Sequence, residues 1–398
     1  MTTTHDIQAL EARHVLQTYR RQPVTLVRGE GVRLYDVDGR EYVDLLSGIG
    51  VSSLGYGHAG LAQAIADQAD TLLHTSNLFF HPLQGQLAER LAALSGLPRA
   101  FFCNSGAEAN EACLKFARRY WHTQGAPRAE FVALEESFHG RTMGALSVTS
   151  DEHYRAPFEP LLGPVRWVAA DPDAIAAAVT ERTAAVIVEP IQGEGGVRPI
   201  SREVAQAINA ACARTGALLI ADEVQSGCGR SGAPFYVSVN GLQPDLMALG
   251  KALGAGVPIG AALVGARVAD AIRFGDHGTT YGGNLLACRA ALCVVDALEH
   301  GLLAHVQRVG AHFEQRLHEL ASRHAIIKTH RGAGVMRGIE LHIDAAPIVA
   351  AGLAHGVIVN RTAETVIRML PPLVITEDEL DEGLRRLELA LRDITPAS

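Results

Sequence analysis

The chain has 398 residues, 48% hydrophobic and 20% charged, ordinary usage for a globular protein with a large core. The length suggests roughly two or three domains. A formal net charge of −8 argues against a general nucleic-acid or anionic-membrane binder, which would usually be basic, but leaves room for a local basic pocket. The six cysteines form no C-x-x-C pair, so neither a zinc knuckle nor a redox motif is supported. Residues Met1 to Asp6 lack a basic region followed by an apolar run, and no apolar span reaches roughly 18 residues. A soluble cytoplasmic protein with no membrane or nucleic-acid partner is expected.

Taken in chain order, the segment to about Gly60 reads as a helix and then short strands. Gly29 to Arg40 alternates, and Asp38-Gly39 is a preferred hairpin pair. From Leu61 to His300, apolar runs at Phe131–Leu134, Ala185–Val188, Leu218–Ala221, Leu246–Leu249 and Ala261–Val264 alternate with helical text such as Glu203–Thr215. That alternation predicts a mainly parallel sheet with helices on both faces. After Gly301 the pattern changes to a long amphipathic helix, Leu302–His324, then strands around Ile326–Thr329 and Gly338–Leu341. Thr376-x-x-Glu379 is a capping box opening the last helix. The expected architecture is α/β, with a large domain at 61–300 and a small α+β domain built from both termini, 1–60 and 301–398.

Two of the apolar runs end abruptly in a charge. Leu218 to Ala221 runs into Asp222, and Leu246 to Gly250 into Lys251. Open α/β sheets build their sites at the C-terminal ends of strands. An acid and a lysine delivered there suit pyridoxal phosphate, the lysine for its aldehyde and the acid for its pyridine nitrogen. Taken singly, each is as readily a solvated strand-end charge. A lysine at the end of an apolar run is partly desolvated, which lowers its pKa and frees the amine. Upstream, Ser105-Gly106-Ala107 stands at a predicted helix N-terminus, with Ala109, Ala112, Cys113, Phe116 and Tyr120 on one face. Such a terminus suits a phosphate, although alone it is as well an ordinary cap. A P-loop is excluded, because Ala252 follows Gly250-Lys251 and Asp245 holds the first glycine position. No metal motif occurs, and no catalytic metal is expected.

Further motifs follow in order: Asn104 to Glu111, Phe138-His139-Gly140-Arg141-Thr142, Val188 to Gly196, Asp222-Glu223-Val224-Gln225, Gly250-Lys251, His277 to Asn284, and Arg368 before Pro371-Pro372. On these, nearly the whole chain resembles the class III aminotransferases, which are fold type I pyridoxal 5'-phosphate enzymes, and among them the acetylornithine aminotransferases. The resemblance implies that Lys251 bonds the cofactor and then moves protons at the substrate carbon, while Asp222 keeps the pyridine nitrogen protonated. Phe138 would stack on the ring, Val224 pack against it and Gln225 lie near its hydroxyl. Ser105, Gly106 and Ala107 would hold the phosphate. Thr280 would reach the phosphate of a neighbouring subunit, implying a homodimer with shared sites. Arg141, Thr279 and Arg368 would contact substrate: Arg141 the donor's remote carboxylate, and Arg368 the α-carboxylate of 2-oxoglutarate or glutamate. Glu194 would pair with Arg368 and control its availability. Glu189 and His139 are weaker candidates, as a hydrogen-bond acceptor and a loop support.

The implied reaction moves the terminal (δ) amino group of N-acetylornithine to 2-oxoglutarate, in arginine biosynthesis. Succinylornithine, acetyllysine, succinyldiaminopimelate, ornithine and 4-aminobutyrate stay open as donors, and so does a glutamate-semialdehyde-type aminomutase. Departures from the family pattern bear on that choice. They are Leu285 for a proline, Ser226 and Ser231 for threonines with Cys228 between them, Ser52 for an asparagine, Ala59 for a proline, and Tyr281 where phenylalanine is common.

Overall fold

The computed structural model describes residues 3–394, so Met1 and Thr2 of the N-terminal reading lie outside it. In chain order the strands are β1 (Leu26–Glu30), β2 (Arg33–Asp36), β3 (Glu41–Asp44), β4 (Arg99–Cys103), β5 (Glu130–Leu134), β6 (Val165–Val168), β7 (Thr183–Val188), β8 (Ile191–Gln192) and β9 (Arg198–Pro199). They continue as β10 (Leu218–Asp222), β11 (Leu246–Leu249), β12 (Gly260–Val264), β13 (Ile327–Ala333), β14 (Met336–Leu341), β15 (Val357–Ile358), β16 (Asn360–Thr362) and β17 (Val366–Met369). All five apolar runs are strands.

Seven of these form one sheet in the order β4-β12-β11-β10-β7-β5-β6. β11, β10, β7, β5 and β6 are parallel, and β12 runs antiparallel to both β11 and β4. Side chains alternate across a strand, so one run feeds two cores. Leu219, Ala221, Met247 and Leu249 join the core on one face, and Leu218, Ile220, Leu246 and Ala248 the core on the other. Both faces are covered, hence continuous apolar runs rather than alternation with polar residues. Each large aliphatic side chain buried this way contributes about 1.5–3 kcal/mol. The helix Gly106–Thr123 covers the second face with Ala109, Ala112, Cys113 and Phe116. Asp222 shares the parity of Leu218 and Ile220 and therefore points towards that helix.

The expected hairpin at Gly29 to Arg40 is a three-stranded meander. β1 and β2 turn at Gly31-Val32, and Asp38-Gly39 joins β2 to β3. β15 adds to its edge, parallel to β3, with Val43 opposite Val357. β13, β14, β17 and β16 form a separate antiparallel sheet. A third core joins Val43 and Leu45 to the long helix Leu303–Arg323 (Val309, Phe313, Leu317) and the last helix, Glu377–Ile394 (Leu380, Leu387, Leu391). That last helix has the predicted box: Glu379 N–H donates to Thr376 Oγ1 at 3.3 Å, and Thr376 N–H to Glu379 Oε2 at 2.9 Å. No helix among the described residues is long and apolar enough to cross a membrane.

Candidate active site

The C-terminal edge of the large sheet gathers the candidate residues. β10 ends in Asp222, opposite Ala248 of β11, and Lys251 follows three residues later. Asp222 is 4% exposed and accepts three hydrogen bonds. Oδ2 takes Asn110 Nδ2 at 2.7 Å and His139 Nδ1 at 2.8 Å; Oδ1 takes the Val224 amide at 3.1 Å. A carboxylate only accepts, so the ring proton of His139 sits on Nδ1. Asn110 Nδ2 also donates to the His139 carbonyl at 2.7 Å, locking helix, loop and strand end together. The sequence reading gave Asn110 no role. Its signal is a polar residue on the inward, otherwise apolar face of Ala109, Ala112 and Cys113.

Lys251 opens a short helical turn, Lys251–Gly254, with φ of 42°, a left-handed conformation that costs a side-chain-bearing residue about 1–3 kcal/mol. Burial pushes its amine below the usual lysine range and Arg368 adds to the effect, while Glu194, Asp222 and Glu189 work against it. The net direction favours the neutral, nucleophilic amine. Ser53 Oγ donates to the Ala252 carbonyl at 2.8 Å, pinning the lysine turn to the 47–53 segment.

Ser105 caps the helix Gly106–Thr123, its Oγ accepting from Glu108 N–H at 3.2 Å, while Glu108 Oε2 accepts from Asn104 N–H at 2.7 Å. The amides of Gly106 and Ala107 are among those that helix geometry leaves without a carbonyl partner. Gly106 is required here, since a Cβ would lie 2.4 Å from Val224 Cγ1. One on Gly250 would lie 3.0 Å from the Gly106 backbone. Strand ends β4, β10 and β11 thus converge on one glycine-lined helix N-terminus.

Arg368, 1% exposed, sits in β17 between Gly338 and Asn360. Its Nε donates to Asn360 Oδ1 at 3.1 Å, and Nη1 to Gln225 Oε1 at 3.1 Å and Glu194 Oε1 at 2.5 Å. Burial works to raise the Glu194 carboxyl, but Arg368, with Lys251 and Gln225, outweighs it and the net shift is downward. The contact found for Gln225 is thus an arginine. Thr279 lies at the other end of the site: its Oγ1 accepts from Asn104 Nδ2 at 3.2 Å, beside Ser105. Thr280 is exposed.

Phe138 N–H donates to Glu189 Oε2 at 2.9 Å, and Gly193 N–H to Glu189 Oε1 at 3.1 Å. One buried carboxylate therefore joins the loop of Phe138 to the loop of Glu194. Burial pushes Glu189 up to about 7; His139 opposes the rise and Asp222 adds to it. Arg141 is exposed, stacked 3.5 Å from the Tyr154 ring centroid and 5.6 Å from that of Phe138. A cleft of about 700 Å³ has Phe138, Tyr154, Glu194 and Thr362 in its walls, and Lys251 is not among its lining residues. Nothing in the sequence marks Tyr154. Of the departures, Leu285 is buried at the start of the helix Leu285–Ala297. Ser226 Oγ donates to Glu223 Oε2 at 2.5 Å, away from Asp222.

An α/β sheet presenting acid, lysine and helix N-terminus at one edge defines a fold type I enzyme, and the whole chain is similar to known proteins of that kind. The model of the class-III aminotransferases matches residues 15–391. An acetylornithine aminotransferase of Archaeoglobus fulgidus is 47% identical over 376 residues, 94% of this chain and 97% of that protein. Among solved structures, the ornithine aminotransferase of Toxoplasma gondii ME49 superposes with a TM-score of 0.94 at 32% identity, covering 99% of this chain and 96% of its own. An amine transaminase from an uncultivated Pseudomonas species, solved with pyridoxal phosphate bound, gives 0.88 at 32% identity, covering 95% and 97%. The chain belongs to the class-III aminotransferases, enzymes that transfer amino groups with pyridoxal phosphate.

Proposed function

We propose that this enzyme moves the δ-amino group of N-acetylornithine to 2-oxoglutarate, giving N-acetylglutamate semialdehyde and glutamate, a step of arginine biosynthesis. The observation that carries this reading is the contrast between two arginines. Arg368 is buried and already held by Glu194, whereas Arg141 is exposed on aromatic faces. A donor with its reacting amine remote from its one carboxylate needs only the second. The Archaeoglobus relative bears the matching name.

The residues fit pyridoxal phosphate: a glycine-lined helix N-terminus for the phosphate, a buried, hydrogen-bonded aspartate for the pyridine nitrogen, and a desolvated lysine between them. Bound there, the cofactor supplies an aldehyde and an electron-withdrawing ring. Ser105, Gly106 and Ala107 would hold the phosphate, Phe138 and Val224 would flank the ring, and Gln225 would lie near its hydroxyl. Lys251 moves the proton at the amine-bearing carbon, its lowered pKa favouring the base form. Arg141 takes the donor's carboxylate by paired N–H bonds. Glu194 keeps Arg368 occupied meanwhile, then yields it to the α-carboxylate of 2-oxoglutarate. Thr279, fixed to Asn104 beside Ser105, would contact the substrate from the phosphate end of the site.

We also propose a homodimer in which Thr280 completes the partner's phosphate site. Leu78, Phe79, Phe80 and Tyr281 are all more than half exposed. Asn77 Nδ2 ties their two loops through the Gly282 carbonyl at 2.9 Å, so they form one apolar surface of the kind that marks an interface. The pairing of β3 with β15 supports a small domain from 1–60 and 301–398 beside a large one at 61–300. Six unpaired cysteines, five of them buried, suit the reducing cytoplasm.

The test is turnover by the holoenzyme with 2-oxoglutarate across a donor panel. Highest kcat/KM for N-acetylornithine is expected. Higher values for ornithine or 4-aminobutyrate would overturn the substrate, and failure of glutamate to convert the bound cofactor would overturn the transferase.

A further inference from the structure

We propose that Tyr154 is the positioning residue that holds Arg141 ready for the donor's remote carboxylate, and thereby sets the KM for the donor. The inference rests on the reading of Arg141 given above. Among the described residues the Arg141 guanidinium meets two rings and no carboxylate. The nearer ring is Tyr154, 3.5 Å from centroid to guanidinium carbon. Stacking occupies the face of the guanidinium and leaves its N–H edge free, the edge a carboxylate bridges with two parallel hydrogen bonds. A carboxylate partner in the protein would compete for that edge; a ring does not.

Tyr154 is itself held in place. It lies in the short helix Glu152–Arg155, whose cap Asp151 accepts from His153 N–H at 2.9 Å. The next residue, Arg155, stacks on Trp167 at 3.8 Å and donates to the Ser150 carbonyl at 3.2 Å. The Tyr154 ring stands edge-on to Phe138, centroids 6.4 Å apart, and lines the same cleft as Phe138 and Glu194. An exposed arginine otherwise samples many rotamers, and holding it before the donor arrives lowers the entropy lost on binding. The contact is remote from the reacting amine, so it acts on donor binding rather than on the chemical step.

The experiment compares Tyr154→Leu, Tyr154→Phe, Arg141→Leu and the double variant Tyr154→Leu/Arg141→Leu as holoenzymes, with N-acetylornithine as amino donor. Tyr154→Leu is expected to raise the N-acetylornithine KM about three- to tenfold, from the usual strength of such stacking. Its kcat stays near wild type, as does its melting temperature, which shows that the variant is folded. Tyr154→Phe keeps the ring face and is expected to behave as wild type. Arg141→Leu raises the donor KM further, and Tyr154→Leu adds nothing in that background. If Arg141→Leu raises the donor KM and Tyr154→Leu does not, the role of Tyr154 is wrong. A fall in kcat at an unchanged donor KM, or no rescue by phenylalanine, overturns it too. An unchanged donor KM in Arg141→Leu overturns the reading of Arg141 and this inference with it.

Discussion

Replacing Asn110 by alanine should damage the site without removing any group that meets substrate. Asn110 Nδ2 is the common donor to Asp222 Oδ2 and the His139 carbonyl, both at 2.7 Å, in a region where all three residues are buried. The alanine variant leaves the carbonyl without its donor, costing about 1–3 kcal/mol, and removes a bond to a carboxylate, worth about 1.5–3 kcal/mol. Asp222 retains His139 and the Val224 amide, which limits the total to about 2–5 kcal/mol. For a chain of this length that lowers the melting temperature by roughly 1 °C per kcal/mol. The larger effect falls on activity. A carboxylate freed to shift against the pyridine nitrogen lowers kcat/KM for N-acetylornithine and glutamate alike, about tenfold to a hundredfold. Calorimetry and half-reaction kinetics on the purified holoenzyme measure both. Unchanged melting together with kcat/KM within about twofold of wild type would refute the view that Asn110 holds Asp222.

Glu194→Gln removes the charge that occupies Arg368, and the KM for glutamate should fall about three- to tenfold while that for N-acetylornithine hardly moves; an unchanged glutamate KM counts against the switch. Glu189, pushed up to about 7 by burial, holds its proton in the folded chain where an unfolded carboxyl has lost it. Its penalty is therefore absent in acid, grows between about pH 4.5 and 7, and reaches on the order of 3 kcal/mol above that. Glu189→Gln loses one of the two amide bonds at every pH but escapes the penalty. Its melting temperature should thus gain on wild type as pH rises from about 5 to 8; a gap that does not change with pH contradicts the assignment. Stripping pyridoxal phosphate should lower the melting temperature, since a ligand at a hundredfold its Kd adds about 2.7 kcal/mol. Lys251→Ala should retain only part of that gain, and equal protection of variant and wild type argues against a bond to Lys251.

Five strands of the large sheet were legible because burial on both faces turns each into an apolar run, and the charges closing β10 and β11 stood out against it; the edge strand β6, half-buried with Arg166 exposed, was not. The direction of β12 was not legible. A buried antiparallel strand has the same composition as a parallel one, and only the connections distinguish them. At the site, the helix N-terminus at Ser105 could be read from local spacing. The neighbours of Gln225, Thr279 and Tyr154 could not, because each meets residues far away in the chain through tertiary packing. Asn110 falls between the two. Its place on an apolar helix face is visible in the sequence, but its partners are not.

The pairing of β3 with β15 has a consequence for how the protein is made. Synthesis at about 5–20 residues per second separates Val43 from its partner Val357 by roughly 15–60 s. Throughout that interval the meander of β1, β2 and β3 offers an open edge, the template on which strands of other chains aggregate. Arg368 and its clasp with Glu194 arrive in the same late segment. A nascent chain therefore lays down its cofactor cradle well before it has the arginine for its keto acid, and its early edge strand stays without its partner until the chain is nearly finished.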